Sequence, residues 1–191
     1  MITKIDAAER QLNTAIRLFF ENRDHLSSYA LAVASREVTD SVIQSRYSEL
    51  HHRELVRVGD PLKVHLSYRE VTKERIKPEF YRDFLRLEHK WQNFLKHADC
   101  DPDAEIELFT TKQLALVIIF AIKNYVLLTQ HWTTEMATFF AWFVIAEPQL
   151  VDSSPEDVMF DKVIADMRNW ISGDPYDSDT LKKIYTAIIN V

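Results

Sequence analysis

Leu114-Ala115-Leu116-Val117-Ile118-Ile119-Phe120-Ala121-Ile122 is the longest apolar run in the chain, nine residues followed at once by Lys123-Asn124. A membrane-spanning helix needs about 20 largely apolar residues, so the run predicts a helix buried in a protein core. Thr110 or Thr111 stands where its N-cap belongs, and the helix is expected to hold Leu114 to Leu128. A fully apolar helix is buried only if other helices or a sheet cover it on all sides. The rest of the chain predicts helices.

Toward the N-terminus, Asp6-x-x-Glu9 has the form of a capping box ahead of Leu12, Ala15, Ile16 and Phe19, which share one face at 3.6 residues per turn. After the polar break Asn22-Arg23-Asp24-His25, Ser27 or Ser28 is placed to cap a second helix with Ala30, Leu31, Ala34, Val38 and Val42 inward. Its small residues allow close approach of the first helix. Gly59-Asp60-Pro61 stops it. Leu62 to Tyr68 alternates with period two but has no strand to pair with, and reads as a connector. Pro78 suits the first turn of a third helix with Phe80, Phe84, Leu87, Trp91, Leu95 and Ala98 on an aromatic face, ending at Asp99-Cys100-Asp101-Pro102.

Toward the C-terminus, Thr133 or Thr134 caps a helix with Met136, Phe139, Phe140, Trp142, Phe143 and Ile145, closed by Pro148. Ser154-Pro155-Glu156-Asp157 opens a helix over 155–172. A last helix over about 178–190 presents Leu181, Ile184, Tyr185 and Ile188. The expected fold is therefore all-α, a single-domain bundle of six to seven helices: 1–130 forms the bundle and 131–191 supplies C-terminal helices packed on it.

Composition narrows the function. The only two glycines, Gly59 and Gly173, both follow helical segments, where left-handed C-caps are expected. Neither G-x-G-x-x-G nor a P-loop can be assembled, which excludes both nucleotide folds. A net charge of -6 argues against broad, non-specific binding to nucleic acid. Cys100 is the single cysteine, so no internal disulfide or cysteine-rich zinc site forms, and a lone, partly buried thiol in a reducing cytoplasm is expected. The first ten residues lack the apolar core of a signal peptide. Glu49-Leu50-His51-His52 holds one Glu-x-x-His spacing, but a di-iron bundle needs a second, so no metal or other cofactor is expected.

The side chains suited to chemistry gather on the third helix. At 100° per residue Arg82, Arg86, His89, Asn93 and His97 fall within about 80° of one another, opposite the aromatic face. They form either a cationic groove for phosphate or RNA, with histidine as acid or base and arginine against anionic charge, or the solvated face of an amphipathic helix.

Ala8-Glu9-Arg10-Gln11-Leu12 and Ala15-Ile16, followed by Ala30-x-Ala32-x-Ala34-Ser35-Arg36-Glu37, resemble the paired opening helices of HEPN (higher eukaryotes and prokaryotes nucleotide-binding) domains over about the first 130 residues. Asn93-Phe94-Leu95-Lys96-His97-Ala98-Asp99 is similar to a segment shared by a group of bacterial helical proteins. HEPN members that cleave RNA carry arginine, a polar residue, three to five further residues and histidine. The resemblance puts Asn93 and His97 in the polar and histidine places, but Gln92 stands where arginine belongs, and an amide cannot supply its charge. Two functions follow as expectations: a non-catalytic HEPN-like binding or assembly module, pairing as a homodimer; or a metal-independent RNase or nucleotide-binding enzyme using Arg82, Arg86, Asn93 and His97. Gln92 favours the first.

Overall fold

The computed structural model describes residues 1–51, 90–97, 100, 103, 105–107, 109–129, 131–148, 158–171 and 173–189. Two compact units divide the chain, one made of Met1–Arg53 with Phe109–Val191, the other of Glu54–Leu108. Among the described residues all regular structure is helical, as the periodicity requires. In the first unit these are α1 (Lys4–Glu21), α2 (His25–His51), α4 (Thr111–Thr129), α5 (Thr134–Ala146), α6 (Val158–Trp170) and α7 (Ser178–Ile189). The described helical stretch of the second unit, 90–96, is α3.

The capping box of α1 lies three residues upstream of its expected place. Extended Thr3 is the N-cap; its hydroxyl accepts from the Asp6 N–H at 3.1 Å, and the Asp6 carboxylate accepts from the Thr3 N–H at 2.9 Å. The helix ends on Asn22 in the left-handed region at φ 54°, whose N–H donates to the Phe19 carbonyl. An asparagine, not a glycine, thus makes that C-cap. Gly173 does not adopt a left-handed φ, which corrects the expectation for it, and Gly59 lies outside the described residues.

The face that α2 buries also differs from the apolar reading. Ser28, Tyr29, Ala32, Val33, Ser35, Arg36 and Thr39 are buried, whereas Ala30, Leu31, Ala34, Val38 and Val42 are only half-buried. Ser28 donates to the Ala15 carbonyl at 2.7 Å and Ser35 to the Ala8 carbonyl at 2.8 Å. These bonds, two helical turns apart, run α1 and α2 antiparallel and satisfy the hydroxyls, so polar residues occupy the seam where periodicity favoured alanine and valine. Ser28 therefore caps nothing. Asp24 does that work, accepting from the Ser27 N–H at 2.9 Å.

Thr110 caps α4 reciprocally with Gln113, at 3.2 and 2.8 Å. Leu114, Ala115, Val117, Ile118, Ile119, Ala121, Ile122 and Tyr125 are buried as α4 packs on α2, α1 and α5. Thr133 caps α5, and Phe139 and Trp142 meet Phe19 and Phe20 of α1 in a cluster of edge-to-face and tilted ring pairs with centroids 5.0–5.8 Å apart. The Trp142 indole N–H donates to the Pro175 carbonyl at 2.9 Å. Asp177 caps α7, which buries Leu181, Ile184 and Ile188 and packs on α1. Ser154-Pro155-Glu156-Asp157, Pro78 with Phe80, Phe84 and Leu87, and the 62–68 connector lie outside the described residues.

Candidate functional site

Of the polar stripe expected on the third helix, the structure brings Asn93 and His97 together. They stand one turn apart, with the His97 N–H donating to the Asn93 carbonyl at 2.9 Å as the last helical bond. Both side chains are exposed, as are Lys96 and Leu95, while Trp91 is buried and Gln92 and Phe94 are half-buried. Leu95 leaves the aromatic face assigned to it. Its 38% exposure places it on the solvent side, one residue before the helix ends. Arg82, Arg86 and His89 lie outside the described residues, as do Ala98, His52 and the side chains of Glu49 and His51. Cys100, expected to be partly buried, is an exposed free thiol. Its N–H donates to the His97 carbonyl at 3.0 Å.

A second polar constellation, across α1, α2 and α4, was not picked out by spacing. The Tyr125 hydroxyl donates to a carboxylate oxygen of Glu9, and the Asn124 amide donates to Asp40 at 2.6 Å. Arg36, 5% exposed, shares the Asp40 face of α2 at the i, i+4 spacing. Burial, with the Glu9 carboxylate accepting its proton, pushes the Tyr125 phenol well above the ordinary tyrosine range. Two signals in the sequence pointed here: polar Lys123-Asn124-Tyr125 at the end of the apolar run, and Arg36-x-x-x-Asp40 at the i, i+4 spacing on the second helix.

Two further acids are also engaged. Arg17 holds Glu135, buried in the first turn of α5, through Nε at 3.0 Å and through Nη2. Glu147, 2% exposed, takes Lys112 Nζ on one oxygen and the Tyr176 hydroxyl on the other, both at 2.7 Å. Burial first, and that bond second, raise the Tyr176 phenol. His25 bonds Asn22 Oδ1 through Nε2 at 3.0 Å, and burial lowers its pKa. A carboxylate whose oxygens accept from fixed donors of neighbouring helices is a tie between elements.

Among the described residues, an open groove along α1 and α2 has a volume of about 680 Å³. A smaller recess of about 390 Å³ is lined by Asn169, Trp170, Lys183 and Ala187. Among the described residues no group of three or more His, Cys, Asp or Glu side chains could hold a metal ion. Nor is any described helix long and apolar enough to cross a membrane. Compared with family models, curated proteins and solved structures, the chain matches none.

Proposed function

We propose that the chain is a HEPN-like helical module that binds or assembles without catalysis, acting as a homodimer in the cytoplasm. One observation carries this reading. Half-buried Glu9 and Asp40 and buried Glu135 and Glu147 each bond a donor from another helix, and Glu147 also takes the Tyr176 hydroxyl, while Asn93 and His97 face solvent beside a glutamine. An acid–base pair works on phosphate only within hydrogen-bond reach of it, with a cation against the developing charge, and Gln92 brings none. The test is incubation of the protein with single-stranded RNA and mononucleotides, with light scattering at tens of micromolar, where a specific interface of about 1,600 Å² persists. A dimer without RNA turnover is expected; a monomer, or turnover lost in His97→Ala, overturns the proposal.

The second reading is a metal-independent RNase or nucleotide-binding enzyme in which Asn93 positions phosphate, His97 exchanges a proton, and Arg82 or Arg86 neutralises charge. It is favoured by the placement of Asn93 and His97 one turn apart on one exposed face. Under it Gln92→Arg raises RNA cleavage and His97→Ala abolishes it with folding intact.

A further inference from the structure

We draw no further inference here: the strongest candidate, the recess between α6 and α7 where the exposed Trp170 ring stands beside Asn169 and Lys183, is an open surface patch of exposed side chains, and nothing in the structure shows what covers it.

Discussion

Truncating Phe19 tests whether α1 and α5 share one core. Its side chain is fully buried, and its ring meets Trp142 at 5.0 Å, Phe139 at 5.1 Å and Phe20 at 5.4 Å, each edge to face. Phe19→Leu keeps most of the apolar volume and loses the three ring pairs, which at about 0.5 kcal/mol apiece, the lower end for such pairs, sum to about 1.5 kcal/mol. Phe19→Ala adds the cavity and is expected to cost about 3–5 kcal/mol. With an m-value of about 2 kcal/mol/M, the alanine variant moves the urea midpoint down by about 1.5–2.5 M. Trp142, in the same cluster, reports the transition by fluorescence. A double-mutant cycle of Phe19→Leu with Trp142→Leu is expected to give a coupling of about 0.5–1.5 kcal/mol. A loss below about 1 kcal/mol for Phe19→Ala, or no coupling in the cycle, refutes the inter-helix core, because a buried phenylalanine without close partners is the only way to reach so small a cost.

Tyr125 and Tyr176, whose phenols are raised by burial and by donation to Glu9 and Glu147, contribute stability that is complete below the ordinary tyrosine pKa of 10.0 and is lost as pH climbs beyond it. Spectrophotometric titration should show both ionising only with alkaline unfolding; ionisation near pH 10 in the folded chain would disprove the bonds. Thr133→Ala removes the α5 cap and a 2.8 Å bond to Asn13 of α1, so thermal melts should show a loss of about 1–2 kcal/mol. His97→Ala, at an exposed helix end, should shift stability by no more than about 0.5 kcal/mol, and unfolding of that variant would make His97 a structural cap instead.

The helical class, the buried α4 run and the caps Thr110 and Thr133 were legible in the amino-acid order, because each depends on neighbours within about one turn. The apolar face of α1 was legible for the same reason: Leu12, Ala15, Ile16 and Phe19 recur at the helical period and are all buried. The face of α2 was not. Ser28 and Ser35 are buried because their acceptors are carbonyls on another helix, and no local pattern carries a partner 13 or 27 residues away. The bonds Tyr125–Glu9 and Asn124–Asp40 join residues 116 and 84 apart, so the polar interior came into being only when α4 was laid against α1 and α2. Asn93 and His97 could be placed on one face from spacing alone, but whether that face meets solvent depends on what packs around the helix. The α1–α2 groove likewise belongs to tertiary structure: local periodicity names the small side chains on α2, and only the antiparallel packing of α1 sets Lys4 and Gln11 beside them.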